Sequence, residues 1–100
     1  MNTKNISSKK FFEDYGELTF AKLLSSWRLS LEMSQKDFAD KLEITPSSLC
    51  DLEKGRKIPS PKRASQIAKK LGLPQPLLVQ VALQDQVNQS KLNFKVSVAA

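Results

Sequence analysis

The chain has no histidine, one cysteine and only three glycines. Lacking histidine, it lacks the commonest general base and a leading metal ligand. The lone cysteine, Cys50, allows no internal disulfide and no cysteine cluster for a metal. With three glycines and five prolines, no low-complexity linker and no internal repeat is visible. No long apolar run exists, and the start MNTKNISSKK is too polar for a secretory signal. These absences lead to the expectation of a soluble, cytoplasmic chain with no membrane association. No metal and no cofactor are expected either. A nucleophile–base set, a glycine-rich phosphate loop and usefully spaced paired carboxylates are also missing, which argues against an enzyme. A chain of 100 residues is bounded to one domain with short arms. It buries roughly two-thirds of its unfolded surface, too little for a cleft between two lobes.

What is present is positive charge, unevenly placed. The formal net charge is +6. Residues 11–53 are acidic, with four basic and nine acidic side chains. Residues 54–70 hold Lys54, Arg56, Lys57, Lys62, Arg63, Lys69 and Lys70 and no acid. A concentrated basic block points to a polyanion, either nucleic acid or an anionic membrane. The alternative is a solvated surface that is simply basic.

Hydrophobic residues make up 40% and are spaced for helices from about residue 18 to 83. Phe20, Leu23, Leu24, Trp27 and Leu31 form one apolar stripe. Trp27 on that stripe reads as a core residue, with base stacking the alternative. Ser34 is placed to cap a second, short helix that buries Phe38, Ala39 and Leu42. Asp37 stands in the third helical position, where a capping box carries Glu or Gln. Thr45-Pro46 starts a third helix around Leu49 and Leu52, and Gly55 ends it. Ser60-Pro61 starts a fourth, lined by Ala64, Ile67, Ala68 and Leu71 and stopped by Gly72. A fifth segment carries Leu77, Leu78, Val81 and Ala82.

The flanks read differently. Residues 1–17 form an N-terminal arm, in which Phe11, Phe12 and Tyr15 are candidates to extend the core. Residues 84–91 are polar. In the tail, residues 84–100, Leu92, Phe94, Val96 and Val98 alternate with Asn93, Lys95 and Ser97. This period of two predicts a strand over 92–98. A lone strand needs a partner or a docking surface, which makes these four residues candidates for dimerisation.

Five short helices with a tight second–third pair suggest a helix-turn-helix unit. The stretch SQKDFADKLEITPSSLCDLEKGRKIPS resembles the DNA-binding domain of Cro- and lambda-repressor-like regulators, the xenobiotic-response-element family. The matching marks are Ser34-Gln35, Phe38-Ala39, Leu42, Ile44, Leu49, Leu52-Glu53, Gly55 and Pro59-Ser60, with Arg28 seven residues before Gln35. The resemblance covers about residues 18–83. It implies an all-α, five-helix domain that binds double-stranded DNA as a homodimer, as a transcriptional regulator and most simply a repressor.

The family's roles carry over by position. Thr45, Pro46, Ser47, Ser48 and Asp51 become candidates for base contacts in the major groove. Gln35 and Lys36 at the second helix start, then Lys54, Arg56, Lys57, Ser60, Lys62 and Arg63, become candidates for phosphate. Arg28 and Glu53 are implied to form a structural ion pair between the first and third helices. Pro46 offers only apolar contact, and no Arg or Gln on this helix can grip a purine with two bonds. Direct readout is therefore expected to be modest and the phosphate component large. Asp51 has a bland alternative, a surface pair with Lys54. Cys50 reads as a small half-buried residue, with a thiol switch as the alternative.

Two positions depart from the family. Where it often has glycine between the first and second helices, and again between the second and third, this chain has Glu32 and Glu43. Left-handed backbone there costs roughly 1 kcal/mol relative to glycine. A second functional class also resembles parts of the chain: the antitoxin of a toxin–antitoxin pair. In that class the arms bind a toxin protein while the core represses its own operon.

Overall fold

The computed structural model describes residues 18–99. Five helices follow one another: α1 Phe20–Ser30, α2 Gln35–Leu42, α3 Pro46–Glu53, α4 Pro61–Leu71 and α5 Gln75–Gln89. The fold is all-α, and no strand occurs among the described residues. The N-terminal arm, with Phe11, Phe12 and Tyr15, lies outside them.

Each start has a chemical cause. Four helices begin on a side chain that accepts a free first-turn N–H: Thr19 from Lys22, Ser34 from Asp37, Thr45 from Ser48 and Ser60 from Arg63. Pro46 and Pro61 then occupy first helical positions, where a missing N–H is harmless. The ends are equally local. Gly55 (φ +74°) and Gly72 (φ +71°) take the left-handed conformation that terminates α3 and α4. Glu32 (φ +55°) and Glu43 (φ +57°) take it too, without glycine's freedom. At Glu43 the strained turn is held from outside. Lys70 of α4 donates to the Leu42 carbonyl at 3.1 Å and pairs with the Glu43 carboxylate.

The core draws on all five helices. Phe20 and Leu24 meet Phe38, Ala39 and Leu42, then Leu49 and Leu52, Ala64, Ile67 and Ala68, and Leu78, Val81 and Ala82. Leu23, Trp27 and Leu71 pack half-buried against it, so Trp27 is a packing residue. α4 and α5 pack against each other most extensively, while α3 rests on α1 and α2. Two expected core residues are not in it. Leu31 is 42% exposed, because α1 stops at Ser30 and the chain turns before the stripe reaches it. Leu77 is 40% exposed, because Leu78, Val81 and Ala82 take the i, i+3, i+4 face, and Leu77 lies about 100° round the helix.

The C-terminal part departs most from expectation. α5 runs through residues 84–89, polar as they are, to Gln89. Its polar side chains have tertiary work. Asp85 accepts from the Phe20 backbone N–H at 2.8 Å, tying the end of α5 to the start of α1. The segment expected as a strand at 92–98 has no backbone ladder among the described residues. It lies along α5, held by glutamine side chains. Gln84 Nε2 donates to the Phe94 carbonyl at 2.8 Å, and Gln84 Oε1 accepts from Val96 N–H at 2.7 Å. Gln80 Oε1 accepts from Val98 N–H at 3.1 Å. The amide of Gln84 thus does what a neighbouring peptide group does in a sheet. Val96 and Val98 are half-buried, while Leu92 and Phe94 are exposed, Phe94 at 65%.

Candidate nucleic-acid interface

The second and third helices are joined by three residues, Glu43, Ile44 and Thr45. Ile44 packs half-buried against the core, and its N–H donates to the Ala39 carbonyl at 3.0 Å, which pins the turn. Leu49 and Leu52 point into the core. The opposite side of α3 is therefore presented outward, with Thr45, Pro46 and Ser47 exposed at its start and Ser48 and Asp51 half-buried behind them.

The angle of α3 is fixed by a bidentate ion pair. Arg28 Nε lies 2.8 Å from Glu53 Oε2, and Arg28 Nη2 lies 3.1 Å from Glu53 Oε1. Arg28 Nη1 donates to the Met33 carbonyl at 3.0 Å. One guanidinium so joins the end of α1, the following turn and the end of α3. The pair is well covered, with 17% and 5% of the Arg28 and Glu53 side chains exposed. Gln35 joins it, its Nε2 donating to Glu53 Oε1 at 3.2 Å. Its amide thus braces α2 against α3, whereas Lys36 beside it is exposed.

The candidate base-reading side chains are not equally free. The Thr45 hydroxyl accepts from Ser48 N–H and donates to Ser48 Oγ, both at 3.0 Å. Ser47 and Pro46 are exposed and have no such partner among the described residues. Asp51 pairs with Arg56 at 3.2 Å and with Lys57 at 3.7 Å, and not with Lys54. Its backbone carbonyl also accepts the N–H groups of Arg56 and Lys57, at 2.9 and 3.3 Å. Asp51 therefore organises the turn after α3 through both its carboxylate and its carbonyl. The hydrogen bond that Arg56 donates to Asp51, followed by the proximity of Cys50, holds the Arg56 guanidinium in its charged form more firmly than usual.

Cations surround this helix. Lys54, Arg56 and Lys57 are exposed just after α3, and Lys62 and Arg63 are exposed on the first turn of α4. Ser60 is exposed and its hydroxyl is engaged as the α4 cap. Lys70, in contrast, is committed to the end of α2. The interface thus combines an outward helix with short polar side chains and a rim of five exposed cations. The class this defines is a helix-turn-helix DNA-binding domain.

Comparison with known proteins agrees. A helix-turn-helix family model matches residues 24–74, which runs from within α1 to the residue before α5, and the chain belongs to this family of DNA-binding transcription regulators of Cro/C1 type. No curated protein and no solved structure matches the chain. No helix among the described residues is long and apolar enough to cross a membrane.

Several structural residues escape sequence reasoning: Thr19, Lys70, Gln80, Gln84 and Asp85. One carried a signal. Asp85 is the only acid after Glu53, so an isolated carboxylate in a basic half was already conspicuous.

Proposed function

We propose that this chain is a cytoplasmic, sequence-specific repressor that binds a two-fold operator as a homodimer. The observation that carries this reading is the start of α3, with Thr45, Pro46 and Ser47 exposed and Ser48 half-buried behind them, flanked by Lys54, Arg56, Lys57, Lys62 and Arg63. α3 enters the major groove. Ser47, the least committed polar side chain on it, makes the direct hydrogen bond to a base edge, and Pro46 meets a thymine methyl. Ser48 and Thr45 support them, and Asp51 accepts from a cytosine amino group. The five cations, Lys36, and the starts of α2 (Gln35) and α4 (Ser60) contact phosphate. Repression follows from occupancy of the operator.

One such module reads few base pairs, and a dimer doubles the site with half-sites about one helical turn apart. The tail supports dimerisation. Its contacts to Gln80 and Gln84 use the Phe94 carbonyl and the amides of Val96 and Val98. The alternate amides, of Lys95 and Ser97, have no hydrogen bond among the described residues. Leu92, Phe94, Val96 and Val98 thus lie on a segment with one open edge, and a second copy completes it by antiparallel pairing.

The deciding experiment is site selection from random duplexes, combined with mass determination by light scattering. The expected result is a palindromic site bound by a dimer. A single non-palindromic half-site bound by a monomer contradicts the dimer. Co-purification of a second small protein on the same tail contradicts it in favour of the antitoxin reading.

A further inference from the structure

Asp51 is the one acid on the outward side of α3, and it stands among the cations of the interface. Its two carboxylate oxygens are divided between them: Oδ1 faces Arg56 and Oδ2 faces Lys57. Both cations are largely exposed, at 57% and 74% of their side chains, while the Asp51 side chain is only 22% exposed. The acid is thus the covered partner and the cations are the ones open to solvent. Phosphate and Asp51 compete for the same two positive groups.

We infer that Asp51 is a specificity-determining residue that suppresses binding to the wrong DNA by holding Arg56 and Lys57 as an internal competitor of phosphate. This rests on the DNA-binding reading above and assigns it a mechanism of discrimination. Non-specific binding is driven almost entirely by cation–phosphate contacts. Every duplex must draw Arg56 and Lys57 away from Asp51, or share them with it. Every duplex must also accept a carboxylate beside its own negative charge. Only a site with a base-edge donor opposite Asp51, a cytosine amino group, offsets that loss with a new hydrogen bond. Specificity then comes from a penalty on the alternatives as much as from attraction to the operator.

The test uses the full chain with Asp51→Asn, titrated on a selected site and on a scrambled duplex across a salt series. A melting curve shows that each variant folds. Asp51→Asn is expected to bind the scrambled duplex about three-fold or more tightly at about 0.1 M salt, two surface pairs being worth that much together. The slope of log K against log salt steepens by about one, and the ratio of specific to non-specific affinity falls. In an Arg56→Gln, Lys57→Gln background the gain shrinks by half or more, because the competitor has lost its targets. The inference is overturned if folded Asp51→Asn binds scrambled DNA no better than the parent, or worse, as for a residue that merely aims Arg56 at phosphate. It is also overturned if the gain is the same in both backgrounds. A parent that shows no salt-dependent duplex binding is a different result, and it removes the DNA-binding reading itself.

Discussion

Glu32 and Glu43 sit at φ +55° and +57°, in a region that suits glycine. Each carries a local cost, and the two are handled differently. Glu43 has Lys70 against it, whose hydrogen bond and then whose charge keep the carboxyl below its ordinary value. A lowered folded value means that the contribution is present above the unfolded pKa and lost as pH falls through the folded one. Urea midpoints at about pH 3 and pH 6 should therefore differ more for the parent than for Lys70→Met. Equal differences would deny the pair a role. Glu32 has no ion pair of this kind among the described residues, so Glu32→Gly should raise stability by about 1 kcal/mol in urea unfolding. The Arg28–Glu53 pair works in the opposite direction. Arg28→Met leaves a carboxylate that is 5% exposed without its cation, and should cost about 3 kcal/mol. At this scale much was legible. Ser34, Thr45, Ser60, Gly55 and Gly72 act on their own neighbours, so sequence spacing suffices to find them. The Arg28–Glu53 pair and the two strained glutamates were reachable only through resemblance, since nothing local marks them.

Among the elements, α2 to α4 are where spacing predicts them, because each has a cap and an apolar stripe within a few residues, whereas α1 shows only its stripe, which overruns the helix end at Leu31. α5 breaks that pattern, and its reasons are tertiary. It has no side-chain cap hydrogen bond, and its last turns are polar. They are helical because Asp85 receives the Phe20 N–H and Gln84 receives the tail. Period-2 alternation at Leu92–Val98 predicts a strand and the structure has none there, because alternation cannot say whether the partner is a strand or a row of glutamines. Two consequences are measurable. Asp85→Ala should destabilise the fold by about 1–2 kcal/mol in urea, as a charge-assisted bond at the start of α1 is lost. Gln84→Ala should speed hydrogen exchange at the Val96 amide several-fold while leaving the melting temperature nearly unchanged, because the tail adds little to the core. A large drop in melting temperature would mean that the tail is part of the cooperative fold.

For the molecule as a whole, the net charge of +6 says less than its placement. Lys70 stabilises the α2 end, and Arg56 and Lys57 are shared with Asp51. Of the six cations assigned to phosphate, Lys36, Lys54, Lys62 and Arg63 have no such partner among the described residues. The exposed rim at α3 was legible as a basic block, but its internal brake was not. Asp51 reads from sequence as a partner for Lys54, and only the folded turn carries Arg56 and Lys57 to it. The most direct test of the central claim is equilibrium titration of the full chain on operator-length duplexes across a salt series. The claim predicts that log K falls linearly with log salt, with a slope between about −3.5 and −5.5 per protomer, for four free and two shared cations. An affinity that does not change with salt, or no binding to duplex DNA at low salt, would contradict it.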